Sequence, residues 1–287
     1  MPGMNEPQDI PSDIVPLFAE DEWNIAQPKL TRDMTAYLTQ YRTPVFRDIK
    51  DHGEGWGSGS FIELEGKTYI LTNEHVAKIR HRGEALGFQF ADQEALFSVR
   101  GNHVDQSWPW DLALLPVTEK VWTGGEHASK AIQIGQIALA HTPMPTEVFA
   151  LAGFAGEGTS FHFNTLVCKA TTSLAREVEL PKDNRWDKRF HLGLDYRPDL
   201  ATNAVGKEGL PTPPGLSGST VWNTCFVEAK KKGIGWSPEL AQVAGVVWGW
   251  PSGGGFIVAT RAEHVRSFLL GAPRVLAAIG SPGATAV

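Results

Sequence analysis

Pro213-Pro214-Gly215-Leu216-Ser217-Gly218-Ser219 runs straight into Thr220-Val221-Trp222. A serine between glycines, followed by a β-branched and aromatic run, reads as a tight loop entering a strand. Two further islands lie upstream: Thr72-Asn73-Glu74-His75-Val76-Ala77 and Trp110-Asp111-Leu112-Ala113-Leu114-Leu115. The order along the chain is His75, Asp111, Ser217, and each residue sits beside an apolar run of strand character.

The chain has 287 residues, enough to bury a full core as one large domain or two half-domains. It is 42% apolar and 20% charged, which excludes a disordered chain. The 30 glycines and 19 prolines, with few long helical patterns, point to many strands joined by turns, a mainly β class. A net charge of −6 gives no electrostatic footprint for nucleic acid, and no apolar run is long enough to span a bilayer. Cys168 and Cys225 allow at most one bridge and read as two buried free thiols. The first sixteen residues lack a basic and then apolar leader pattern, so the expected location is the cytoplasm.

Residues 1–44 read as an N-terminal extension or arm, with a helix over 28–41 that places Leu30, Met34, Tyr37 and Leu38 on one face. Strand signals begin at Val45. Residues 61–65 and 68–72, joined by Gly66-Lys67, read as a hairpin. Further strands are expected at 85–90, 95–100 and 112–116. A second set is expected at 133–138, 147–152, 162–171, 190–195, 220–223, 241–248 and 255–260. Residues 261–279 have helical spacing, with Val265, Phe268, Leu269 and Leu276 as the buried stripe and Gly271 and Pro273 as breaks or kinks. Residues 281–287 read as a tail. Lys230-Lys231-Lys232 reads as a solvated hairpin tip.

A serine hydroxyl is a poor nucleophile at neutral pH; it needs a base for its proton and donors for the oxyanion it creates. Histidine suits the base role, and a carboxylate behind it fixes its tautomer. His75, Asp111 and Ser217 are the candidates. The backbone N–H groups of Gly215 and Ser217 are candidates for the oxyanion hole. Gly215 permits a positive φ, and Gly218 leaves room for close approach of a substrate. Taken singly, a serine between glycines is more often a turn residue, and a lone histidine is more often structural. The ordered set with matched flanking strands carries the reading. An α/β-hydrolase elbow would be G-x-S-x-G before a helix, with the histidine last. Here Ser219 replaces the final glycine and a strand follows. Asp105 is an alternative to Asp111, but no alternating apolar run follows it.

These islands resemble the trypsin-like (chymotrypsin-fold) serine peptidases. Gly57-Ser58-Gly59-Ser60-Phe61 and Ile70-Leu71-Thr72-Asn73-Glu74-His75-Val76 are similar to that family's first strands and T-x-x-H. Asp111-Leu112-Ala113-Leu114-Leu115 is similar to its D-[IL]-A-L-[IL], and Gly215-Leu216-Ser217-Gly218-Ser219 to its G-[DN]-S-G-G. The resemblance covers residues 45–280. It implies two six-stranded antiparallel Greek-key barrels, at about 45–125 and 130–260, with a C-terminal helix at 261–279. It also implies a serine endopeptidase acting on a protein or peptide through an acyl-enzyme, with Trp248, Gly249 and Trp250 binding the substrate.

The chain departs from the family at two positions. Leu216 cannot make the ion pair that activates secreted members, and Ser219 replaces a glycine; the chain looks closer to bacterial and intracellular members. Pro211, six residues before Ser217, gives no acidic pocket floor. Trp250 would narrow the pocket toward small or apolar side chains, whereas His191 or His162 would favour an acidic one. An activating or regulatory partner is a further expectation from the family. The alternative is a silent trypsin-fold binding or scaffold protein. No cofactor is expected, and the histidines show no metal-ligand spacing. Gly253-Gly254-Gly255 lacks the helix and lysine of a phosphate loop.

Overall fold

The computed structural model describes residues 20–49, 52–162, 165–198 and 209–280. The expected arm before residue 20 and the tail at 281–287 lie outside these.

The N-terminal half carries β1 (Arg42–Ile49), β2 (His52–Leu64), β3 (Lys67–Thr72), β4 (Ala85–Gln89), β5 (Leu96–Ser98), β6 (Val104–Gln106) and β7 (Leu112–Pro116). They form one antiparallel sheet in the order β5-β4-β1-β2-β3-β7-β6. The C-terminal half carries β8 (Val148–His162), β9 (Thr165–Val178), β10 (His191–Asp195), β11 (Thr220–Asn223), β12 (Gln242–Gly249) and β13 (Phe256–Arg261). These close into a six-stranded barrel, β10-β13-β12-β11-β8-β9. β4 lies beside β1 and outside β2-β3, and β11 lies beside β8 and outside β9-β10. Each half therefore contains the four-strand Greek key in which the fourth strand returns beside the first. The mainly β class, the closed barrel and the C-terminal helix agree with expectation; the N-terminal sheet has seven strands.

Alternation along the strands explains the long apolar runs. Phe61, Ile70, Ala113 and Leu115 face a core inside the first sheet. Their neighbours Ile62, Leu71, Leu112 and Leu114 face a second core, shared with Val148, Ala150, Ala152, Val243 and Val246 of the barrel. The barrel's own interior takes Phe149, Leu151, Ala244 and Val247. Because these strands are buried on both faces, they read as continuous apolar stretches. The shared core is the seam between the halves, and both terminal helices close it. From α1 (Glu20–Thr39) come Leu30, Met34 and Leu38; from the last helix (Ala262–Gly280) come Val265, Phe268 and Leu269. Tyr41 stacks on Trp222 at 5.5 Å.

The first helix starts eight residues before the expected Pro28 and carries that proline inside it. The last helix passes through Gly271 and Pro273 without a break. Residues 133–138 form a 3-10 turn (Ile134–Gln136) with single bridges at Ile132 and Ile137, too short a pairing for a strand. The Lys230 run ends a short helix (Phe226–Lys231), where a hairpin tip was expected. β8 and β9 run far beyond the expected 147–152 and 162–171. The hairpin turn between β2 and β3 is Glu65-Gly66, at φ 50° and 73°. A two-residue turn with both φ positive wants glycine second, which moves the turn back by one residue. Cys168 and Cys225 are free and half-buried. Burial pushes their thiols up, to about 11 and about 12, so neither is poised to react.

Candidate active site

β3 and β7 are antiparallel neighbours with Thr72 opposite Ala113. The exit of β3 therefore lies beside the entry of β7, and residues 36 apart in sequence meet there. Leaving β3, the chain makes one helical turn, α2 (Glu74–Ala77), whose Val76 and Ala77 are buried in the first sheet's core. That anchorage leaves His75 on the open side. Asp111 precedes β7 at φ 46°. His75 Nδ1 lies 2.6 Å from Asp111 Oδ2, and the His75 backbone N–H donates to Oδ1 at 3.0 Å. One carboxylate thus holds both the ring and the backbone of the histidine. Donating Nδ1–H leaves the Nε2 lone pair outward, the tautomer a general base needs. The His75 side chain is 36% exposed and Asp111 only 13%.

The loop before β11 comes from the other half. Leu216 is fully buried in the barrel core, so the residue before Ser217 is an apolar anchor where the secreted peptidases keep an ion pair. Gly215 (φ 96°) and Gly218 (φ 91°) both need to be glycine. A methyl on Gly215 would stand 2.6 Å from Gly156 N and 2.7 Å from Phe154 O; one on Gly218 would stand 1.9 Å from Ser58 O. The free space at Gly218 was expected to admit substrate. It is instead where the first sheet's backbone touches the loop.

Ser58 ties the two together. Its N–H donates to Ser217 O at 2.7 Å, its hydroxyl donates to Gly215 O at 2.8 Å, and that hydroxyl accepts Phe154 N–H at 2.8 Å. In the sequence Ser58 stands out only as part of the Gly57–Phe61 motif; its partners are remote in the chain and carry no local signal. Ser219 is tolerated because Gly153 faces it: a methyl there would stand 1.9 Å from Ser219 Oγ.

Leu216, Gly218 and Ser219 donate their N–H groups to Pro213, Val247 and Leu216 carbonyls. Among the described residues, the N–H groups of Gly215 and Ser217 have no protein acceptor, and both residues are half-exposed. Nor does any hydrogen bond among the described residues reach His75 Nε2 or Ser217 Oγ. The loop nevertheless adjoins the histidine turn: a methyl on Gly57 would stand 2.9 Å from Val76 Cγ2 and 3.2 Å from Ser217 O. The structure therefore joins His75 directly to Asp111, and brings the Ser217 carbonyl and the histidine turn's Val76 to the same Gly57.

Trp248 and Gly249 end β12, half-buried, and Trp250 follows at 36% exposure. His191 is buried and committed elsewhere, to Pro109 O at 2.7 Å and Asp187 N at 3.0 Å, so it is not a pocket group. The His162 side chain lies outside the described residues. Pro211 O accepts the Tyr196 hydroxyl at 2.8 Å. Asp105, the alternative to Asp111, is spent on His81 Nε2 and His103 Nε2, at 2.9 and 3.1 Å. These three are close enough to share an ion. However, Arg80 Nη1 donates to His103 Nδ1 at 3.1 Å, which leaves the ring proton on Nε2 facing Asp105. A metal on Nε2 would require the opposite tautomer. Burial, and then the Arg80 cation, hold His103 below its ordinary value. The cluster fits a hydrogen-bond relay.

No family model matches the chain, and no curated protein matches its sequence. Solved structures do match. Its structural neighbours are serine protease domains. The serine protease domain of the Sesbania mosaic virus polyprotein is 15% identical at a TM-score of 0.47, over 80% of this chain and 92% of that one. The active form of the Rv3671c protease of M. tuberculosis is 18% identical at 0.48, over 85% and 87%. The MamO protease domain of Magnetospirillum magneticum is 12% identical at 0.48, over 79% and 94%. The likeness is one of fold.

Proposed function

We propose that the chain is a serine endopeptidase. The observation that carries this is the His75–Asp111 pair, held at 2.6 Å with the outer ring nitrogen unspent, beside a glycine-flanked Ser217 loop. Ser217 Oγ attacks the scissile carbonyl carbon while His75 Nε2 takes its proton. The carbonyl π pair moves onto oxygen, and the N–H groups of Gly215 and Ser217 receive that oxyanion. As the oxyanion collapses, the C–N bond breaks and His75 returns the proton to the leaving amine. Water, deprotonated by His75, then cleaves the acyl ester and restores Ser217. Asp111 stays ionised and stabilises the imidazolium.

The substrate is a protein or peptide bound along Trp248, Gly249 and Trp250 at the end of β12. Trp250, and a sequence with no acidic residue between Leu210 and Ser217, favour small or apolar residues. A gating partner and a cytoplasmic setting belong to the same reading; broad casein degradation by the pure chain would remove the gate. The deciding experiment is fluorophosphonate labelling with the adduct located by peptide mass spectrometry. An adduct on Ser217, lost in His75→Ala and Asp111→Ala, supports the reading. No adduct in folded protein, with or without cell extract, refutes it.

A further inference from the structure

Three consecutive carbonyls lead into the His75–Asp111 pair, and each is captured by a different side chain. His191 Nε2 lies 2.7 Å from Pro109 O, Thr260 Oγ1 donates to Trp110 O at 2.7 Å, and Asn73 Nδ2 donates to Asp111 O at 2.7 Å. All three side chains are fully or almost fully buried. His191 and Thr260 are directly opposed across β10 and β13, so they present both donors on one face of the barrel. The segment they hold belongs to the other half of the molecule. Asp111 itself sits in the left-handed region, where a non-glycine residue persists only if its surroundings over-determine it.

The partners fix the proton on His191. Pro109 O can only accept, so Nε2 carries the hydrogen; Asp187 N–H can only donate, so Nδ1 carries the lone pair. His191 O is in turn held by Arg261 Nε at 3.0 Å.

We infer that His191 and Thr260 are positioning residues: the second barrel sets the Asp111 carboxylate on His75 by gripping the two residues before it. This deepens the peptidase reading and, for its kinetic arm, rests on it. Releasing the grip lets Asp111 relax toward negative φ and swings the carboxylate off Nδ1. The carbonyls cannot re-pair locally, because no other donor among the described residues reaches them. Misplacing a catalytic group by about 1 Å costs on the order of a hundredfold in rate.

The test uses the full chain with His191→Leu, His191→Gln and Thr260→Val, checked for folding by circular dichroism and Tm. The first readout is independent of activity: the downfield proton resonance of the His75 Nδ1–H, assigned by its loss in His75→Ala. It should broaden or move upfield in His191→Leu and Thr260→Val, and stay in His191→Gln, which keeps a donor for Pro109 O. The second readout is the saturating rate of fluorophosphonate labelling. This should fall about ten- to a hundredfold in the first two variants with the half-saturating probe concentration unchanged, and recover in His191→Gln. If His191→Leu fails to fold, Thr260→Val, nearly isosteric, carries the test. A folded Thr260→Val with resonance and labelling rate both unchanged overturns the inference. A resonance that responds in a chain whose wild type never labels keeps the grip and sinks the peptidase reading instead.

Discussion

Replacing Gly218 with alanine tests how the serine loop is held. The new Cβ would stand 1.9 Å from Ser58 O and 2.4 Å from Thr72 Oγ1. Ser58 O cannot retreat freely, because it accepts the Thr72 hydroxyl at 2.8 Å and its own residue donates to Ser217 O. Reaching ordinary contact distance needs roughly 1 Å or more of movement by the loop or by β2. The φ of 91° adds a backbone cost of about 1–3 kcal/mol. Overpacking adds about 1–3 kcal/mol more. A loss of about 2–6 kcal/mol would lower Tm on the order of 10 °C. Displacing Ser217 by about 1 Å should slow labelling on the order of a hundredfold. Gly66→Ala is the control: its φ is 73°, but nothing lies within 4 Å of the new methyl. It should cost about 1–2 kcal/mol and leave labelling unchanged. Scanning calorimetry and labelling kinetics on both variants settle the matter. A Gly218→Ala chain that labels at the wild-type rate, with a Tm no lower than that of Gly66→Ala, would refute the steric argument.

Leu216→Ala empties a site in the barrel core and should cost about 2–5 kcal/mol, read by urea denaturation, with slower labelling as the loop loses its anchor. Ser219 Oγ is buried without a partner among the described residues. Ser219→Ala should therefore leave stability unchanged or raise it by about 1 kcal/mol, and a clear loss would show a missed partner. Burial holds the His191 imidazole below its ordinary value of 6.5, with His264 and Arg261 lowering it further and Asp187 opposing them. The unfolded chain then takes up the proton first on acidification. Stability from His191 is complete above about pH 6.5 and drains away below it. His191→Gln should flatten the fall of Tm between about pH 6.5 and 5, and an unchanged slope would mean that other groups dominate.

What the sequence determined by itself is local. The apolar runs at Ile70-Leu71 and Leu112–Leu115 announced buried strands, because burial on both faces leaves no polar alternation. The order His75, Asp111, Ser217 separated this chain from a strand–turn–helix elbow, and Gly215 marked a positive φ; Gly218, which read as room for a substrate, has a positive φ as well. The first helix was legible through Leu30, Met34 and Leu38, although its start was not: half-buried Trp23 extends the same face onto the shared core, but Pro28 reads as a helix start and hides that continuation. Tertiary structure alone decided the rest, because those contacts join residues far apart in the chain. The register of Thr72 against Ala113 brings His75 to Asp111. Ser58 reaches across the seam to Gly215 and Ser217, and Gly153 makes the space that Ser219 fills. In the sequence His191 was, with His162, a candidate for a pocket that favours an acidic side chain. Its two ring nitrogens are instead used up on Asp187 and Pro109, a choice that no local pattern encodes, because it is made by what the folded barrel places opposite each atom.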